Sequence, residues 1–209
     1  MNLLIVGAGG HGREVAWLAH EVHGANAVLT FAVERAYLQS DCVDGIRVVA
    51  MDELPDNATH FVVAIGDIAG RRRIAAECEA RGLVPATLVH PSVPRSSRVY
   101  IGPGSIVCAG SVLTTNVHIG RHVHVNIGCT LSHDVVLGDF STLSPGTHLS
   151  GHVHVEGDAF FGTGADVING VAGAPLVIGR GAIVAAGACV TGSVEAGAMV
   201  AGVPAVRKR

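Results

Sequence analysis

The reading of the fold turns on residues 101–150, IGPGSIVCAGSVLTTNVHIGRHVHVNIGCTLSHDVVLGDFSTLSPGTHLS. Every sixth residue from Ile101 is aliphatic: Ile101, Val107, Leu113, Ile119, Val125, Leu131, Leu137, Leu143 and Leu149, with Val155, Phe161 and Val167 continuing the apolar series beyond the stretch. Four places after each of these, a second slot runs from Ser105 and Ser111 through Cys129 to Ala165 and Val171, and it never holds a large or charged side chain. A period of six matches neither the roughly 3.6-residue repeat of a helix nor the two-residue alternation of a lone strand. Two inward slots of different size describe a narrow stacked solenoid. Hexads with glycine behind the aliphatic residue, as in IGPGSI, IGRHVH, LGDFST and IGRGAI, are specific to the left-handed parallel β-helix, in which three hexads close one triangular coil. The stretch and its continuation make about five coils.

The frame slips once. Val167 and Ile178 are eleven residues apart, after which Ile178, Val184, Val190 and Ala196 resume the step of six. GVAGAPLV, near residues 170–177, is therefore expected as a loop pushed out at a corner, where function often resides.

Residues 1–88 follow different periods. NLLIVGAGG is an apolar strand entering a glycine turn, and HGREVAWLAHEVHG then spaces Val15, Leu18, Ala19 and Val22 as one helix face. NAVLTFAVE, IRVVAM and THFVVAIGD read as further strands, and RRRIAAECEARG as a helix stopped by Gly82. The expected organisation is a small α/β domain over 1–88, Rossmann-like, with room for four or five strands, followed by a β-helix over 89–209.

Composition narrows the function. A net charge of −3 with no Lys/Arg run offers no electrostatic footprint for nucleic acid or an anionic membrane. The five cysteines are scattered, with no C-x-x-C pair, and read as reduced thiols of a cytoplasmic protein. No signal peptide is evident at MNLLIVGAGG. Small molecules and copies of the chain itself are the expected partners.

Two motifs carry chemistry. GAGGHG matches G-x-G-x-x-G at Gly7, Gly9 and Gly12, after a strand and opening a helix, with Glu34 at the end of the next strand. Such glycines let backbone approach phosphate oxygens at a helix N-terminus, which any nucleoside diphosphate would satisfy. His11 inside this loop either donates to a phosphate or packs locally. The second motif is Ser132-His133-Asp134: an imidazole titrating near neutrality beside a carboxylate has the makings of a general base and its orienter. His118, His124, His148 and His154 occupy the outward sixth slot, where solvent or an interface is expected. No two β-helix histidines are eighteen residues apart, so none is expected to meet another on an adjacent coil, and no metal site is expected.

VGAGGHG opening the first half, LSHDVVLGDFSTLSPG within the second, and AGVPAVRKR at the end resemble the bacterial nucleotide-sugar acetyltransferases of the sialic acid O-acetyltransferase (NeuD/PglD-like) family over nearly the whole chain. That family includes N-acetyltransferases of UDP- and GDP-linked 4-amino-sugars in bacillosamine and perosamine pathways. The resemblance implies a homotrimer with active sites between subunits, acetyl-CoA as co-substrate, and no metal. By motif, Gly9, Gly10 and His11 would contact the diphosphate, Gly66 and Glu34 the nucleotide, and Asn126 the sugar. His133 would be the general base, Asp134 its orienting partner and the Gly151 N–H an oxyanion donor, while Gly151, Thr163, Ala185 and Ala186 would face acetyl-CoA. Relatives often carry an Asp pair where Glu34 stands, and sometimes a second His where Thr142 stands. The implied activity is N-acetylation of a nucleotide-linked (UDP-, GDP- or dTDP-) 4-amino-sugar. O-acetylation of sialic acid or a related sugar, and an NAD-binding or non-catalytic scaffold, are the competing readings.

Overall fold

The computed structural model describes residues 1–208; Arg209, the last residue of the family-like C-terminal stretch, lies outside the described residues. The chain divides into two compact units after Leu88.

In the first unit the apolar runs form strands β1 (Asn2–Val6), β2 (Val28–Val33), β3 (Cys42–Val43), β4 (Ile46–Ala50), β5 (His60–Val63) and β6 (Val84–Pro85). Their order across the sheet is β3-β4-β2-β1-β5-β6. All pairs are parallel except the β3–β4 hairpin. The sheet thus has six strands rather than four or five. The additional ones, β3 and β6, span two residues each, too short for periodicity to reveal. Helix α1 (Gly10–His23) buries Val15, Ala16, Leu18 and Ala19. Helix α2 (Ile68–Ala80) starts earlier than the arginine run suggested, because Asp67 caps it by accepting from the Gly70 N–H at 2.6 Å. Chain direction switches at β1, with β2 on one side and β5 on the other. The carboxyl ends of these three strands therefore open on one crevice, where ligands of doubly wound sheets bind.

The second unit stacks short parallel strands in three sheets, which form its three faces. Face one stacks Tyr100–Ile101, His118–Ile119, Val136–Leu137, Val153–Val155 and Leu176–Ile178. Face two includes Ile106–Val107, His124–Val125, Thr142–Leu143, Phe160–Phe161 and Ile183–Val184, and face three Val112–Leu113, Thr130–Leu131, His148–Leu149, Asp166–Val167 and Cys189–Val190. Partners such as Thr130 and His148 are eighteen residues apart, three hexads to a coil. Leu113, Ile119, Val125, Leu131, Leu137, Leu143 and Leu149 are all buried in one continuous core, with Val117, Cys129 and Val135 from the second slot beside them. At about 25 cal/mol per Å² of apolar surface, this stacked column is the main stabilising term of the unit.

Two placements depart from the six-residue frame. Val171, assigned to the inward second slot, is 58% exposed and bridges Ala174 across a two-residue turn. Leu176, pairing with Val153, takes the inward place instead, so the last two residues of the expected 170–177 loop belong to a strand. A large aliphatic residue displaced the smaller valine because it covers more of the core. His124, expected in solvent or at an interface, is 1% exposed within the single chain.

Candidate functional site

The crevice at the end of β1, β2 and β5 is a cavity of about 670 Å³ lined by Gly7, Gly9, Glu34, Tyr37, Asp67 and Arg73, among others. The glycines of its loop play different parts. Gly7 has φ +115°, and a Cβ there would sit 2.7 Å from the Ala64 carbonyl oxygen. A Cβ at Gly12 would approach the Gly7 carbonyl oxygen to 2.0 Å, so this glycine lets α1 close on the strand. Gly9 and Gly10 instead face open space at the helix N-terminus, the arrangement that admits an anion. Glu34 accepts from Arg73 Nη2 at 3.0 Å. Gly66 lies between two lining residues, Ile65 and Asp67. His11 is outside the lining and turns to Glu14, its Nδ1 3.3 Å from Oε2; burial lowers its pKa, more than Glu14 restores it. Arg71, fully buried, donates to the Ile65 carbonyl at 3.2 Å.

In the second unit the chain turns at corners between the three faces. Where face three turns into face one, successive coils present Thr114–Asn116, Ser132–Asp134 and Ser150–His152. The third residue of each turn is left-handed, with φ +54° at Asn116, +60° at Asp134 and +55° at His152. At the corner between faces two and three the same place is taken by Gly110, Gly128, Gly146, Gly164 and Gly187, and at the corner between faces one and two by Gly104, His122, Phe140, Asp158 and Gly181. Side chains at such φ cost about 1 kcal/mol or more, least for Asn, Asp and His. Three polar side chains are therefore held in strained turns on one edge.

They converge. His133 Nδ1 lies 2.9 Å from Asp134 Oδ2, and Asn116 Nδ2 donates to Asp134 Oδ1 at 3.1 Å from the coil below. His152, one coil above Asp134, brings Nε2 to 3.7 Å from the same Oδ2 and sets its ring edge-on to His133, centroids 5.1 Å apart. These contacts, that of His133 first, hold the Asp134 carboxyl below its ordinary pKa. The expectation that no β-helix histidines meet across coils was wrong: residues nineteen apart touch diagonally where a corner brings successive turns together. Gly151 lies against the His133 ring, since a Cβ there would be 2.4 Å from Cε1 and 2.5 Å from Nε2.

The other proposed site residues occupy the corner between faces two and three. Thr163, Ala185 and Ala186 stack there, with Gly187 N–H donating to the Thr163 carbonyl at 2.9 Å. Asn126 belongs to the same edge, and its Nδ2 donates to the Leu143 carbonyl at 2.7 Å. Within one chain, then, His133, Asp134 and Gly151 come together, while Asn126, Thr163, Ala185 and Ala186 line a separate edge.

Residues 2–78 match the PglD N-terminal domain. The chain is 37% identical to a GDP-perosamine N-acetyltransferase of Escherichia coli O157:H7 over 98% of its own length and 96% of the relative's. The chain belongs to the PglD-like nucleotide-sugar acetyltransferase family. Among solved structures it is similar to the acetyltransferase domain of PglB from Neisseria gonorrhoeae FA1090 in complex with acetyl coenzyme A, with TM-score 0.89, 32% identity and 99% and 98% of the two chains covered. PerB from Caulobacter crescentus, in complex with CoA and GDP-perosamine, gives TM-score 0.85 at 29% identity over 100% and 98%. In this PglD-like chain, reading the sequence alone missed Asn116 and His152 at the His133 corner, and Tyr37, Asp67 and Arg73 at the crevice. The first two had a signal: counting one coil of eighteen residues either way from Asp134 lands on them. The crevice residues had none, because their convergence depends on strand order.

Proposed function

We propose that this chain is an acetyl-CoA-dependent N-acetyltransferase acting on a nucleotide-linked 4-amino-sugar, with His133 as general base. The observation that carries this is the His133 imidazole, anchored through Nδ1 to Asp134 at 2.9 Å and seated against Gly151. Asp134 fixes the tautomer in which Nε2 is the acceptor and stabilises the imidazolium that forms. His133 takes a proton from the attacking amine as the C–N bond to the acetyl carbonyl forms. The Gly151 N–H stabilises the oxyanion. As the C–S bond breaks, His133 returns the proton to the departing sulfur, so no acyl-enzyme is required.

The unit over residues 1–88 holds the nucleotide end in the 670 Å³ crevice, with Gly9 and Gly10, with His11 beside them, at the diphosphate and Gly66 and Glu34 nearer the nucleoside. Residues 89–209 form a left-handed β-helix that performs the transfer in a cytoplasmic homotrimer. The separation of the two edges within one chain supports an active site between subunits: the Thr163, Ala185 and Ala186 edge of one copy faces the His133 edge of the next, with Asn126 toward the sugar. Among the described residues no helix is long and apolar enough to cross a membrane.

The test is CoA release against UDP-, GDP- and dTDP-linked 4-amino-sugars, comparing the protein with His133→Ala. Amide product with a loss of about three orders of magnitude in kcat for the variant is expected. Acetyl transfer only to sialic acid hydroxyls, retention of a nicotinamide dinucleotide without CoA affinity, or an intact variant at full rate would each overturn the assignment.

A further inference from the structure

His152 has no part in the transfer just described, yet it stands on the base and its orienter. Three donors meet here from two adjacent coils: one ring nitrogen each from His133 and His152, and a carboxylate oxygen of Asp134, all within 4.8 Å of one another. His133 Nδ1 to Asp134 Oδ2 is 2.9 Å and His152 Nε2 to the same oxygen 3.7 Å. In a tetrahedral zinc site, with metal–ligand bonds near 2.1 Å, neighbouring ligand atoms are about 3.4 Å apart. The two observed separations bracket that spacing, and rotation of the exposed His133 and the half-buried Asp134 and His152 side chains closes the difference. Two imidazoles and one carboxylate form a borderline donor set that suits zinc over magnesium or calcium. Three protein ligands also leave a coordination position open, toward solvent, for water or a substrate atom. The backbone supports the grouping, since Asp134 and His152 occupy equivalent left-handed positions one coil apart and so project from the same edge.

We infer that His133, Asp134 and His152 form a zinc-binding site that shuts the enzyme off. Zinc at this place replaces the proton that His133 Nδ1 shares with Asp134. It withdraws electron density from the imidazole and takes the carboxylate that orients it. The metal is an inhibitor here, with no part in the transfer chemistry. The inhibitory half rests on the reading of His133 as the base; the binding half does not.

The experiment uses the full chain after dialysis against EDTA. Zinc binding is measured by competition with a chromophoric chelator, and acetyl transfer is followed in the same zinc series. His152→Asn is the comparison variant because asparagine tolerates the left-handed turn, and its melting temperature checks the fold. One zinc per chain is expected, bound at least tenfold more weakly by His152→Asn. Acetyl transfer should be lost over the same zinc range in the wild type and recovered with EDTA. Equal zinc affinity in the wild type and a folded His152→Asn overturns the site. Tight zinc binding that leaves acetyl transfer unaffected overturns the inhibition. Zinc bound through His152 in a protein that acetylates no sugar supports the site and counts against the proposed function alone.

Discussion

Gly151, with a hydrogen for a side chain, leaves the His133 ring its place. A methyl group there would lie 2.4 Å from His133 Cε1, and the obstacle it meets is the end of a movable side chain. Gly151→Ala should therefore fold with a nearly unchanged melting temperature while kcat falls about a hundredfold, since misplacement by an ångström is enough for that. Steady-state kinetics with thermal melts checks both halves. Asn116 acts more weakly, by holding Asp134 Oδ1 at 3.1 Å. Asn116→Ala should lower kcat by about tenfold with KM little changed, the cost of a loosened carboxylate. The His133–Asp134 pair was legible as neighbours in sequence. Asn116 and His152 were legible only through the coil length, eighteen residues either side of Asp134, and their contacts with it came from the structure.

At the scale of elements, the glycine loop divides its labour in a way substitution can separate. A side chain at Gly12 collides with backbone at 2.0 Å, and no rotamer relieves that. Gly12→Ala should destabilise the first unit by about 3 kcal/mol, as overpacking against rigid backbone does. Gly9→Ala, with open space around it, should fold normally and weaken nucleotide-sugar binding, seen as a raised KM. The G-x-G-x-x-G spacing alone could not distinguish these roles. Cysteine placement offers a second check. Burial pushes the Cys78 thiol up to about 12 and Cys129 up to about 11, whereas Cys42 is exposed. Mild alkylation near pH 8 should label Cys42 and spare Cys78 and Cys129 until the protein is unfolded, read by peptide mass.

Over the whole molecule, the response to acid follows from helix α1. Burial lowers the pKa of His11 and of His23 below 6.5. The unfolded chain then binds more protons than the folded one between those lowered values and about 6.5, so stability rises with pH across that window. Moving from pH 7.5 to 5.5 should lower the melting temperature of the first unit, and replacing both histidines with asparagine should flatten that dependence. Calorimetry of the wild type and the double variant decides it.

The amino-acid sequence by itself determined that the second unit stacks short parallel strands around an apolar column, because each hexad of the six-residue period repeats the same burial. It also marked the first unit as α/β, and it put His133 beside Asp134 through a peptide bond. Only the tertiary structure decided that Leu176 rather than Val171 fills the core, that His124 is buried, and that Asn116 and His152 make contact with the Asp134 carboxylate. These are contacts between coils or choices between competing side chains. Such contacts are set by packing across turns, which no local period encodes.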